Sequence, residues 1–185
     1  RDKEQWMLRI TRYADRLDKD LDSVDFQEKI KLQQRNWIGK SVGSEIDFEV
    51  FRTGEKVKVF TTRPDTIFGA TYLVLAPEHE LIKKLWQQIQ NKDEVEKYIT
   101  ISKNKAEIDR TAEGKEKTGV ELIGIKGLNR ATNQQIPIWI ADYVLVNYGT
   151  GAIMAVPADD KRDFEFAEKF NLPIVKDYKP AGFED

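Results

Sequence analysis

The sequence predicts an α+β domain built on a barrel-like, mostly antiparallel sheet with peripheral helices. Three observations carry this. Short segments with an apolar period of two recur through the chain from residue 41 onward. A few helical segments are interspersed among them, without the regular strand–helix alternation of a parallel α/β fold. Glycine- and proline-marked breaks separate the segments, and no internal repeat or low-complexity tract occurs.

Residues 4–35 read as helical. Trp6, Leu8, Ile10, Tyr13, Leu17 and Leu21 form an apolar stripe of imperfect period, and Asp22 or Ser23 offers a cap before a second stretch with Phe26, Ile30 and Leu32. From Ser41 the period changes. EIDFEVF alternates Ile46, Phe48 and Val50, RTGEK supplies a turn, and EKVKVF at 55–60 alternates again, which makes a hairpin. Its second strand runs into TTRPDT, residues 61–66. ATYLVLA (70–76) reads as a buried strand, 78–90 and 93–104 as helices, 119–125 and 136–146 as strands. NYGTGAIMAVPADDKRDFEFAEKF then gives a glycine turn, a strand at 152–156, a proline break and a helix over 160–170. The expected organisation is a helical lead-in (1–40), a main domain (41–177) and a linker-like tail (178–185).

Composition excludes several kinds of chemistry. The chain has 185 residues, 40% hydrophobic and 34% charged, with 30 basic and 32 acidic side chains and a formal net charge of −2. No bulk positive field draws it to nucleic acid or membrane. It has no cysteine, so thiolate chemistry and disulfides are absent, which suits a reducing compartment. The one histidine, His79, follows Pro77 where a helix begins, and imidazole-based triads and most zinc sites are excluded.

Two constellations stand out. In TTRPDT, Pro64 fixes its own φ and drives Arg63 toward extended geometry, while Thr61, Thr62 and Thr66 crowd hydroxyls around the turn. The cluster reads either as a capped strand end or as one wall of a ligand site. In YGTGAIMAVPADDKRD, Gly149 and Gly151 permit a tight turn, and Asp159, Asp160 and Asp163 gather at a helix start. Those carboxylates either complement the helix dipole or form an acidic wall for a cation such as an ammonium group. No glycine-spaced calcium loop accompanies them, so no metal site is expected.

Taken together these segments resemble the editing domain inserted in leucyl-tRNA synthetases of bacterial or organellar type. The lead-in YADRLDKDLDSVDFQEKIKLQQRNWIGKSVGSEIDFEV, the segment TTRPDTIFGATYLVLAPEH and the segment NYGTGAIMAVPADDKRDFEFAEKFNLPI carry the likeness over nearly the whole chain. DTIFGATY followed by VPADDKRDFEFA is more similar to the leucyl than to the valyl or isoleucyl branch. The resemblance implies the class I synthetase editing-domain fold and hydrolysis of the aminoacyl ester of mischarged tRNA(Leu), carrying norvaline, isoleucine or methionine, with Leu-tRNA(Leu) spared. It implies that Asp163 holds the substrate α-ammonium with Asp160 beside it. Thr66 would obstruct a leucine side chain. Thr61, Thr62 and Arg63 would line the pocket near the ester and terminal adenosine, and Tyr148, Met154 and Val156 its wall. One position departs: Asp159 stands where the family usually has histidine, next to the terminal nucleotide. The expected partners are the 3′ end of tRNA(Leu) and the remainder of the synthetase, with a monomeric, cytoplasmic or organellar chain and no membrane. No HIGH- or KMSKS-type motif is present, so adenylate formation, and with it ATP, belongs to the full-length parent. No cofactor and no zinc are expected for this domain.

Overall fold

A computed structural model describes residues 4–105, 110, 116–146 and 149–176. The chain divides into two compact units, residues 1–42 and 43–185.

In the first unit, α1 (Ala14–Asp20) and α2 (Glu28–Ile38) are joined through 3-10 turns at Ile10–Tyr13 and Leu21–Ser23. Residues 4–9 form no helix, so the expected helix from residue 4 begins later. Neither Asp22 nor Ser23 caps α2. Asp22 instead pairs with Arg35, which also reaches Asp18 at 3.4 Å. Gly39 closes α2 in the left-handed region (φ 64°), the usual helix stop. The expected apolar stripe encloses only Leu21. Trp6, Leu8, Ile10, Tyr13 and Leu17 remain exposed, because two short helices cannot cover both of their apolar faces.

The second unit is built on a six-stranded sheet with strand order β2-β1-β4-β5-β3-β6. Strands β1 (Ser44–Val50) and β2 (Lys56–Thr61) form the expected hairpin, pairing Ile46 with Val59 and Phe48 with Val57 on the core face. The pleat puts alternate residues on opposite faces, so Phe48, Val50, Val57 and Val59 are buried while Lys56 and Lys58 face water and meet Asp47 and Glu45. Strand β3 (Tyr72–Leu75) is buried throughout, as its unbroken apolar run requires. β4 (Gly119–Asn129) runs beyond the expected residue 125, continuing through an irregularity between Glu121 and Lys126, whereas β5 (Gln134–Ala141) starts earlier than expected and stops at Ala141 rather than 146, where the chain turns. β6 (Ala152–Ala155) pairs antiparallel with β3, whereas β3 and β5 run parallel. The two ends of the sheet approach each other where β2 meets β6, so the sheet is a nearly closed, barrel-like one.

Among the described residues the helices α3 (Glu80–Lys84), α4 (Lys92–Lys103) and α5 (Lys161–Lys169) flank it. Helix α3 is shorter than the expected 78–90, and His79 is its N-cap, its Nδ1 accepting the Leu81 N–H at 3.1 Å. The main core runs through Phe48, Leu73, Leu75, Leu122 and Ile138. A second cluster on the other face of β3 packs Tyr72, Val74 and Trp139 against Phe166 of α5. Tyr148 and the tail at 178–185 lie outside the described residues.

Candidate functional site

The TTRPDT segment leaves β2 and folds into a 3-10 turn, Pro64–Gly69. Pro64 opens the turn, where its missing N–H is no loss. The Thr61 hydroxyl accepts the Arg63 N–H at 3.0 Å. The Thr66 hydroxyl donates to the Arg63 carbonyl at 2.9 Å, and the same carbonyl accepts the Thr66 N–H at 3.2 Å. Thr66 is thereby buried with a fixed rotamer, while Thr62 and Arg63 stay exposed. Arg63 grips Asp65 through two nitrogens, at 2.8 Å and 3.1 Å, and this pairing holds the Asp65 carboxyl below its ordinary range.

Asn129, at the end of β4, holds this turn from behind. Its side-chain amide donates to the carbonyls of Ile67 (2.8 Å) and Ala70 (3.3 Å), and its Oδ1 accepts the Ala131 N–H. Nothing in the motif analysis singled it out. Its one sequence signal is an asparagine closing the strand GVELIGIKGLN, where a turn must satisfy loose carbonyls.

The second constellation sits where β6 ends. Gly149 and Gly151 both adopt positive φ (60° and 71°), as the tight turn before β6 demands. Asp160 caps α5, its Oδ1 accepting the N–H groups of Arg162 (2.8 Å) and Asp163 (3.1 Å). Asp163, in the first turn of α5, is only 6% exposed, and its Oδ2 accepts the Val156 N–H at 2.8 Å. Burial pushes its carboxyl up to about 7, against the pull of the Val156 N–H, and neighbouring Asp160 adds to the rise. Asp159 is exposed, and its own N–H goes to the Val156 carbonyl.

The two constellations meet along β3 and β6. Thr71 donates its N–H to Ala155, and Ala70, Met154 and Val156 share one core cluster with Ile67 packed on it. Thr66 and Asp163 therefore belong to chain segments that join at one end of the β3–β6 ladder. Met154 and Val156 are buried there within the main core. Tyr72, a residue the motifs did not flag, donates its hydroxyl to the Asp163 carbonyl at 2.8 Å. Among the described residues no three histidine or carboxylate side chains converge as a metal site would need.

Comparison with known proteins gives this geometry its setting. The family "Leucyl-tRNA synthetase, editing domain" matches residues 35–184. The chain belongs to the leucyl-tRNA synthetase editing-domain family. Among curated relatives, the leucine–tRNA ligase of Alkaliphilus oremlandii is 58% identical over 174 residues, covering 94% of this chain and 22% of that protein. That of Chloroherpeton thalassium is 56% identical over 172 residues, covering 93% of this chain and 21% of that protein. The chain thus spans about a fifth of the length of these relatives. Among solved structures, the agnB2 LeuRS of Agrobacterium radiobacter K84, a ternary complex with tRNA and LeuAMS, superposes with a TM-score of 0.79 at 33% identity, covering the whole of this chain and 22% of that one. The leucyl assignment and the barrel-like α+β fold expected from the sequence both stand.

Proposed function

We propose that this chain hydrolyses the aminoacyl ester of mischarged tRNA(Leu) and spares Leu-tRNA(Leu). Family membership supports editing as the general activity. The observation that carries the finer reading is Asp163: a buried carboxyl, oriented by a backbone N–H, at the junction with the threonine turn. An aminoacyl ester brings an α-ammonium, and a carboxylate shielded from water binds it with roughly 1.5–3 kcal/mol per charge-assisted hydrogen bond. Burial pushes the Asp163 carboxyl up to about 7, and pairing with the substrate ammonium favours its ionised form.

The chemistry asks little more of the protein. Water attacks the ester carbon, the bond to the ribose oxygen breaks, and that oxygen leaves with a proton. The ester is already activated, so placing it and supplying donors to the developing oxyanion is the main task. The exposed Thr62 hydroxyl and the backbone around Thr61 and Arg63 are suited to this, with Arg63 near the terminal nucleotide. No general base is assigned. Selectivity follows double-sieve logic, since an apolar synthetic site discriminates near-isosteres by only about 10²-fold. The immobilised Thr66 then obstructs leucine, while norvaline, isoleucine and methionine are accommodated.

In this reading residues 41–177 carry the reaction, 1–40 lead in and 178–185 lead out, without a cofactor. The partners are the tRNA(Leu) 3′ end and the remainder of a leucyl-tRNA synthetase. The exposed Trp6, Ile10 and Leu17 of the first unit suit docking to a larger body. Release of isoleucine from Ile-tRNA(Leu) by the chain tests the reading, run at high protein concentration because other parts of a synthetase would contribute tRNA contacts. Asp163→Ala is expected to lose activity by roughly 10-fold to 100-fold or more. Equal rates for the two proteins would reject the site.

A further inference from the structure

Asp163 is held at three points, and the third lies outside both motifs. Its N–H is capped by Asp160, its carboxylate takes the Val156 N–H, and its carbonyl takes the Tyr72 hydroxyl at 2.8 Å. Tyr72 is fully buried on β3, its ring stacked on Phe166 of α5 with centroids 5.5 Å apart at 19°. Tyrosine is a costly choice for such a position. Phenylalanine would fill the same space and stack alike, and a buried hydroxyl is tolerated only where it is bonded. The bond it makes goes to the first turn of α5, where a helical carbonyl already has its own partner N–H, so helix formation alone does not require it.

The placement is specific to the site. Tyr72 and Ala155 are cross-strand partners, and Val156 is the next residue of the β6 chain, just past the strand end. The Tyr72 hydroxyl and the Val156 N–H thus approach Asp163 from neighbouring positions of adjacent strands. One fixes its backbone and the other its carboxylate. Tyr72 is also six residues beyond Thr66, on the segment that emerges from the threonine turn. A single stretch of chain therefore delivers both the side chain that would exclude leucine and the hydroxyl that sets the carboxylate.

We propose that Tyr72 is a positioning residue: its hydroxyl locks the first turn of α5 so that the Asp163 carboxylate stays aligned on the Val156 N–H and presents its free oxygen to the substrate ammonium. This rests on the ammonium-binding reading of Asp163. The charged and titratable groups around that carboxyl are Asp160 and Arg162 on its own helix, Tyr72 on β3, and Tyr143 beyond β5. Loss of alignment on the Val156 N–H removes a contact that favours the ionised form.

The test follows the Asp163 carboxyl by 13C NMR titration of the full chain, with the resonance assigned through Asp163→Asn, alongside deacylation of Ile-tRNA(Leu). Tyr72→Phe should raise the Asp163 midpoint and lower kcat/KM roughly 10-fold, the scale of one well-aligned hydrogen bond. Tyr98→Phe serves as control, since it removes the hydroxyl of a half-buried tyrosine that bonds Thr118 and Asp142 on another element. It should lower the melting temperature and leave the Asp163 midpoint alone. Should Tyr72→Phe fail to fold, 3-fluorotyrosine at position 72 keeps the hydroxyl as a stronger donor, and the midpoint should move down. An unmoved midpoint in the Tyr72 variants overturns the proposal even if stability falls, because that marks a purely structural hydroxyl. The midpoint is read without substrate. If wild type and Asp163→Ala deacylate alike, the proposed function fails while the role of Tyr72 in aligning the carboxylate is still judged.

Discussion

The Asp163 carboxylate accepts the Val156 backbone N–H at 2.8 Å while the residue is only 6% exposed. These two facts oppose each other. The N–H favours the ionised carboxylate, and burial favours the neutral acid. Burial wins, and the group titrates at about 7 rather than near its ordinary 3.8. The arrangement suits a site completed by an incoming cation.

The sign of the resulting pH dependence is definite. A carboxyl whose folded value is raised holds its proton between about pH 4 and pH 7 while the unfolded chain has lost it. Folding then takes up a proton, and stability falls as pH rises through that window. The size is roughly 4 kcal/mol at full ionisation, from about three units at 1.36 kcal/mol each. Asp163→Asn removes this dependence. The variant should melt higher than wild type at pH 8 and gain less when the pH is lowered to 5. Thermal unfolding of both proteins across pH 4–8 checks it, the difference between them cancelling groups such as Asp65 that shift the other way.

In the proposed function Thr66 carries the selectivity. Its hydroxyl is committed to the Arg63 carbonyl, so the side chain is a fixed obstacle rather than a mobile one. Thr66→Ala should open the pocket to leucine and raise hydrolysis of Leu-tRNA(Leu) by at least about 10-fold, as removal of a steric block worth about 1–3 kcal/mol implies. The lost hydrogen bond should cost about 1 kcal/mol of stability. Thr66→Ser, which keeps the bond and loses the methyl, separates the effects: leucine release without destabilisation assigns exclusion to the methyl. Leu-tRNA(Leu) remaining intact with Thr66→Ala would remove Thr66 from that role.

Much of this was legible beforehand. The hairpin at Ile46–Val59, the strand ending before Pro157 and the helix begun by Asp160 follow from period, turn chemistry and capping, which are local. What was not legible is what depends on distant partners. The parallel pairing of β3 with β5 brings together strands with no short connection, and period alone does not encode it. The contacts of Asn129 with Ile67 and of Tyr72 with Asp163 span 62 and 91 residues. A tyrosine inside YLVL reads only as an apolar filler until its hydroxyl partner is known. The lead-in stripe had the opposite fault: a helical period marks a face that can be buried, and within this chain only Leu21 is.

Asn129 should matter more than its distance in sequence suggests. It is fully buried and satisfies two carbonyls of the segment that carries Thr66. Asn129→Ala leaves both without that donor, at a cost of about 1–3 kcal/mol. Because the loss falls on one turn, amide exchange around residues 64–70 should accelerate more than exchange in β4 or β5. Sparing of Leu-tRNA(Leu) should weaken in parallel, since Thr66 rides on that turn. Asn129→Asp keeps the acceptor for Ala131 but lacks the donors, and should resemble the alanine variant. Uniform acceleration of exchange across the sheet would show a global loss of stability instead.

Asp159 stands where the sequence resemblance leads one to expect histidine, and its charge sets the expected effect. The side chain is exposed and adjoins Asp160 in sequence, so in the proposed function two carboxylates lie near the phosphate-bearing RNA end. Like charges repel there, with a range of about 8 Å at physiological salt. Asp159→His removes one of them and supplies a ring able to hydrogen-bond or stack on a base. Deacylation of Ile-tRNA(Leu) by this variant should show a lower KM at low ionic strength and little change in kcat, because Asp159 touches neither the ester nor the ammonium in this reading. The advantage should shrink as salt is raised to about 1 M, where screening shortens to about 3 Å. Asp159→Asn isolates the charge from the ring: a KM equal to that of the histidine variant assigns the whole effect to repulsion. A KM unchanged in both variants at every salt concentration would place the nucleotide elsewhere on the domain.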